Sequence, residues 1–111
     1  MENPKRGEIE AVLGGRAVRL CLTFGALASL EKRLNIENIS ELTARFSEGR
    51  FSTQDLLVVI LAGLEACREP MTEAELRDLD LKENWAALLD AVARLLIATF
   101  GEEDARTPSP R

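Results

Sequence analysis

The sequence contains no histidine among its 111 residues. Histidine is the usual general base beside a serine or cysteine nucleophile, and it is also the commonest transition-metal ligand. Its absence excludes a Ser–His–Asp triad. The chain also has neither a glycine–lysine phosphate loop nor a dinucleotide fingerprint. We therefore expect a protein that is not an enzyme and that binds no cofactor and no metal.

Aromatic residues and long apolar runs are also scarce. Aromatics make up 5% of the chain, with one Trp and no Tyr, so the core must be aliphatic. The longest uninterrupted apolar run, Leu56 to Leu64, is far shorter than the roughly 20 residues that a membrane-spanning helix needs. No stretch resembles a signal peptide. We therefore expect a soluble, cytoplasmic protein without a membrane partner.

Cysteine and positive charge are limited as well. The net charge is -5, with a pI near 4.8, which disfavours nucleic acid as a partner because backbone binding depends on clustered Lys and Arg. The two cysteines, Cys21 and Cys67, lack the spacing of metal ligands. They are interpreted as buried, reduced thiols, and a structural or redox disulfide is the less favoured alternative.

What the sequence does contain begins with a predicted β-hairpin at about residues 8–22. Two partly alternating runs flank Gly14-Gly15, a dipeptide that tolerates the positive φ angles of a two-residue turn. The register pairs apolar residues on one face and opposite charges on the other. The predicted pairs are Ile9 with Leu20, Ala11 with Val18, and Glu10 with Arg19.

Five helices are predicted after the hairpin, at about residues 24–35, 39–47, 53–68, 73–79 and 82–100. Each is preceded by a residue whose side chain can accept from a free backbone N–H of the first turn. These caps are Thr23, Asn38, Ser52, Thr72 and Asp80. The third helix is apolar on every side and is predicted to be central. Its β-branched Val58 to Ile60 would also suit a strand, but the length between cap and Pro70 favours a helix.

Together these elements predict an α+β fold, with an N-terminal hairpin packed on four to five helices. The length suits one domain, placed at residues 1–101. In the first helix, Phe24, Leu27, Leu30 and Leu34 share one face, and in the last helix Gly101 is the expected C-terminal cap. The remaining residues 102–111 hold two Pro and little apolar content, and they are predicted to form a disordered tail.

Four strings occur in order along the chain: Asn3 to Glu8, Leu22 to Glu31, Arg45 to Ser52 running into Asp55 to Leu57, and Leu95 to Gly101. In order and spacing they resemble the gene transfer agent tail-assembly family, which is similar to phage tail assembly chaperones. Genes of that family commonly lie between those of the tail tube protein and the tape measure protein. None of the strings is a catalytic signature.

The resemblance implies a bacterial cytoplasmic protein that assists tail morphogenesis in a phage or gene transfer agent. The implied role is a chaperone that binds the long, helix-rich tape measure protein, or other tail proteins, and a homo-oligomer is compatible with it. One alternative is a structural component retained in the tail. A second, less favoured alternative is a metal-dependent enzyme using Asp78 and Asp80, although helix-end roles are sufficient for both carboxylates.

The predicted partner surface lies at the hairpin and the start of the helix that follows it. It comprises Glu10, Arg19, Thr23 and Phe24. A hairpin leaves a strand edge that another chain can extend, and this hairpin leads into the most family-like string. The equally weighted alternative is that the apolar face of the hairpin only covers the helical core.

Overall fold

The structure is a computed structural model that describes residues 7–101. The predicted tail at residues 102–111 lies outside the described residues. The observed elements, in chain order, are β1 (Ile9–Leu13), β2 (Arg16–Leu20), α1 (Phe24–Leu34), α2 (Ile39–Ser47), α3 (Thr53–Ala66), α4 (Glu73–Arg77), α5 (Leu81–Leu96) and a π-helical turn (Ile97–Gly101). This order confirms the predicted α+β fold.

The hairpin forms in the predicted register, with Ile9 opposite Leu20 and Ala11 opposite Val18. Gly14 and Gly15 have φ angles of 62° and 78°, which only glycine adopts without strain. The inward-facing side chains of both strands are buried in the common core. The hairpin is therefore anchored by its apolar face.

The predicted register also places Glu10 opposite Arg19, but the ion pair of Arg19 forms with a different residue. Glu10 and Arg19 are opposed in the ladder, but the guanidinium of Arg19 pairs with Glu69, with Nε and Oε2 separated by 3.7 Å. The same carboxylate accepts the backbone N–H of Arg19 at 2.6 Å. Because the backbone bond fixes the Glu69 carboxylate beside β2, Glu69 is a better partner for the Arg19 guanidinium than Glu10 is.

All five predicted N-caps are present. In each, the side-chain oxygen of the cap accepts the backbone N–H three residues later. Ser52 with Asp55 and Thr72 with Glu75 form complete capping boxes. The local polar residues therefore set where each helix begins.

The helix α3 is the central element. Leu56 and every residue from Val58 to Leu64 are buried, and α3 packs against α1, α4, α5 and β2. The strand alternative for Val58 to Ile60 is excluded, because all three lie within the helix. The strand β1 packs on α5, so the hairpin covers both long helices.

Two helices differ from the sequence prediction. The sequence predicts Phe24 on the same face as Leu30 and Leu34, but its side chain is 91% exposed, because α1 reaches the core through its C-terminal half. The last helix ends as α at Leu96 rather than continuing to residue 100. The chain continues as the π-helical turn Ile97–Gly101. Within this turn, the hydroxyl of Thr99 donates to the Leu95 carbonyl at 2.7 Å, which is the acceptor that the backbone N–H of Thr99 would use in an α-helix.

Within residues 7–101, none of the helices combines the length and the apolar character needed to cross a bilayer.

Candidate functional site: an apolar groove and a thiol–carboxylate cluster

An open apolar groove of about 440 Å³ separates α2 from α5. Its lining is almost wholly apolar and comes from α2, from Phe51 before α3, from α5 and from the π-helical turn. The lining residues are Thr43, Phe46, Ser47, Phe51, Leu89, Val92, Ala93, Leu96 and Ile97. Ile97 remains 57% exposed. A concave apolar surface of this kind is typical of sites that accept an apolar ligand or one face of a helix.

One wall of the groove is formed by two stacked aromatic rings. The rings of Phe46 and Phe51 stack with centroids 4.6 Å apart and an interplanar angle of 20°. Behind them, Arg45 pairs with Glu41 on its own helix and with Asp55 in the first turn of α3, at 3.6 and 3.7 Å. The Arg45–Asp55 pair links α2 to the first turn of α3 and so holds Phe46 near Phe51.

A second feature joins three residues that lie at the ends of three separate elements, β1, β2 and α3. The Sγ atoms of Cys21 and Cys67 lie 3.0 Å apart, and the Sγ of Cys67 is 3.6 Å from Oε2 of Glu8. All three side chains are half-buried. The ligand atoms of the three residues lie within 4.8 Å of one another. The sequence predicted buried, reduced thiols; both cysteines are free thiols, but they are only half-buried.

The backbone explains why the two thiols meet. The carbonyl of Gly63 accepts the N–H of Cys21 at 3.3 Å and the N–H of Cys67 at 3.2 Å. Cys21 directly follows β2, and Cys67 caps the C-terminus of α3. A single acceptor therefore fixes both cysteines at the place where the strand crosses the helix.

The surroundings strongly disfavour ionisation of Cys67. Burial is the largest cause, and the neighbouring Cys21 thiol and the Glu8 carboxylate add to it. Together they raise the pKa of the Cys67 thiol from 9.0 to about 12. The thiol is therefore protonated at neutral pH in the absence of a bound cation.

The structure places the four predicted partner residues on two surfaces. Glu10 and Arg19 lie on the outer face of the hairpin, and Thr23 and Phe24 lie at the start of α1. Three of them already have intramolecular roles. The Glu10 carbonyl accepts a hydrogen bond from Arg94, Arg19 pairs with Glu69, and Thr23 caps α1. The bond from Arg94 reaches the backbone of Glu10, so the side chains of Glu10 and Phe24 are the two of the four that are exposed without such a role in the described part of the chain.

The carboxylates of the enzyme alternative have helix-end positions. Asp80 caps α5 by accepting the N–H of Glu83 at 2.9 Å, and Asp78 is the exposed C-cap of α4. Sequence reasoning missed the groove and the thiol–carboxylate cluster. Both are built from residues far apart in the chain, and no local spacing in the sequence predicts either one.

Comparison with known families finds a match over residues 6–102 to the family described as "Phage tail tube protein, GTA-gp10". Comparison with curated proteins and with solved structures finds no match.

Proposed function

Since this chain belongs to the phage tail tube protein family GTA-gp10, we propose that it is a structural component of a phage or gene transfer agent tail. The observation that carries this proposal is the family match, which covers all the described residues. The partners implied are other tail proteins. Of the roles named from the sequence, retention in the tail fits the family description better than an assembly chaperone does.

The apolar groove between α2 and α5 is the surface that we assign to such a partner. It is concave and contiguous, one wall carries the Phe46–Phe51 stack, and the Arg45–Asp55 pair links α2 to α3 beside it. An amphipathic helix of another tail protein would bury its apolar face there. The sequence-predicted surface at Glu10, Arg19, Thr23 and Phe24 is the competing location.

A second candidate function is the chaperone role, with the tape measure protein as client. The observation that favours it is the same open groove, because a chaperone needs only to shield apolar helical surface reversibly. The two functions share a binding surface and differ in the fate of the complex. A structural protein remains bound in the finished tail, whereas a chaperone leaves it.

Quantitative mass spectrometry of purified particles tests the proposal. We expect the protein in finished tails at a constant ratio to the other tail proteins across independent preparations. Its absence from tails that cannot assemble without it would favour the chaperone. Normal tails from cells in which the gene is deleted would contradict both functions.

A further inference from the structure

We propose that Glu8, Cys21 and Cys67 form a binding site for a thiophilic divalent cation, Zn²⁺ being the ion that fits best. The inference is independent of the tail function. It rests on three ligand atoms, two sulfurs and one carboxylate oxygen, that lie within 4.8 Å of one another. Their residues lie next to three different elements, β1, β2 and α3. Two thiolates and a carboxylate are ligands that Zn²⁺ takes in proteins.

The distances require only small side-chain adjustments. In a tetrahedral site with Zn–S bonds of about 2.3 Å, two sulfurs lie about 3.8 Å apart, and a sulfur and a carboxylate oxygen about 3.5 Å apart. The observed separations are 3.0 Å between the sulfurs and 3.6 Å between the Cys67 sulfur and the Glu8 oxygen. The side chains are half-buried, so an ion can enter from solvent.

A disulfide is the other chemistry that two neighbouring thiols suggest. It would require the sulfurs to approach to about 2.05 Å, and it gives no role to the Glu8 carboxylate beside them. A cation uses all three side chains. It also removes the repulsion that two thiolates and a carboxylate would otherwise suffer. The position of the Glu8 carboxylate therefore favours metal binding over oxidation.

The balance of the binding step is simple. The ion binds both sulfurs as thiolates, and the two thiol protons pass to the buffer. The carboxylate of Glu8 supplies the third ligand. The fourth tetrahedral position is open to water or to a donor from another molecule, as in zinc sites with three protein ligands. No oxidation state changes.

Titration with Co²⁺ tests the site, because a tetrahedral cobalt thiolate site absorbs through sulfur-to-cobalt charge transfer and through visible d–d bands. The full chain is reduced with a phosphine, freed of metal and titrated with Co²⁺, and then with Zn²⁺. We expect a saturable charge-transfer band at one ion per chain, bleached by one equivalent of Zn²⁺. A wild-type protein without this band would overturn the proposal.

Variants identify the ligands. Cys21→Ser and Cys67→Ser should each abolish the charge-transfer band of the two-thiolate site, and Glu8→Gln should weaken binding by roughly 10-fold or more. Glu10→Gln is the matched control, since Glu10 lies in β1 two residues after Glu8 and is exposed. Circular dichroism checks that each variant is folded. Equal binding by the folded Cys→Ser variants, or equal loss in Glu10→Gln, would contradict the assignment.

A stability measurement gives an independent readout. Zn²⁺ binds the folded site, so it should raise the Tm of the wild type and of Glu10→Gln but not of either Cys→Ser variant.

Equilibration of the metal-free chain with oxidised glutathione tests whether Cys21 and Cys67 form a disulfide instead. Quantitative formation of an intramolecular disulfide, together with no cobalt band in the reduced chain, would show that the pair is a redox couple and not a metal site.

Discussion

Asn84 accepts a hydrogen bond from the backbone N–H of Gly14, with a distance of 2.9 Å between N and Oδ1. The side-chain amide of Asn84 also donates to the carbonyl of Asp80 at 2.9 Å. Asn84 is 7% exposed and is the buried polar residue of the described chain. This side chain thereby ties the turn of the hairpin to the first turn of α5 across 70 positions of sequence.

Asn84→Ala should therefore lower the free energy of unfolding by about 1 to 3 kcal/mol, because the N–H of Gly14 loses its acceptor in a partly buried position. Lys82→Ala, an exposed change in the same helical turn, is the control and should have little effect. Urea denaturation monitored by circular dichroism measures both. Equal midpoints for the two variants would show that Asn84 contributes no net stability.

The hairpin and the helix starts could be predicted from sequence because their signals are local. The register follows from Gly14-Gly15 and the alternation around it, and every cap acts on a backbone N–H three residues away. The roles of Asn84 and Glu69 could not be predicted, because each bonds to backbone in a distant element. Their partners are fixed only when α3 and α5 pack against the hairpin.

For the candidate sites too, local sequence patterns were informative and contacts between distant elements could not be predicted. The sequence indicated a tail protein through the order of its strings, and the family match supports a tail-related role. Nothing in the sequence indicates that Cys21 and Cys67 are neighbours. The Gly63 carbonyl brings them together only where β2 crosses α3. The groove likewise depends on how α2 sits beside α5.

Gly63→Ala tests that crossing. A Cβ at Gly63 would lie 2.9 Å from Cδ2 of Leu20 and 3.3 Å from Cδ2 of Leu95, both fully buried. Overpacking costs about 1 to 3 kcal/mol, and the gain in helix propensity over glycine, about 1 kcal/mol, offsets part of it. We expect a net loss of stability of up to about 2 kcal/mol by thermal or urea denaturation.

Gly25→Ala is the matched control, because its added Cβ meets no atom closer than 3.9 Å and Gly25 lies in a helix as well. That substitution should stabilise the protein by about 0.4 to 1 kcal/mol. Opposite signs for the two Gly→Ala changes would support the close crossing. Stabilisation by both would mean that β2 is free to move away from α3.

The reactivity of Cys67 should report its environment. Since only the thiolate reacts, a pKa near 12 predicts that alkylation of Cys67 in the metal-free folded chain at pH 8 is at least roughly 100-fold slower than in the urea-unfolded chain. The folded rate should still rise about tenfold per pH unit between pH 9 and 10, where the unfolded rate levels off. Peptide mapping after iodoacetamide treatment measures both rates.

The raised pKa of Cys67 also determines the direction in which the stability of the folded chain changes with pH. The folded-state pKa lies above the unfolded value of 9.0, so the protonated thiol favours the folded chain fully below pH 9. This contribution is lost as the pH rises toward 12. A folded-state alkylation rate that levels off at pH 9, as in the unfolded chain, would contradict the raised pKa.

The last prediction locates the partner surface. Ile97 lines the groove, Phe24 belongs to the sequence-predicted surface, and Leu81 lies outside both at the start of α5. All three side chains are more than half exposed, so Lys substitutions should leave the fold intact. Lys at position 97 places a charge where an apolar helix would pack, and desolvating that charge is costly. We expect Ile97→Lys to reduce incorporation into purified tails by at least tenfold, with Phe24→Lys and Leu81→Lys incorporated normally. Loss of incorporation by Phe24→Lys alone would instead assign the partner to the start of α1 and remove the groove from the interface.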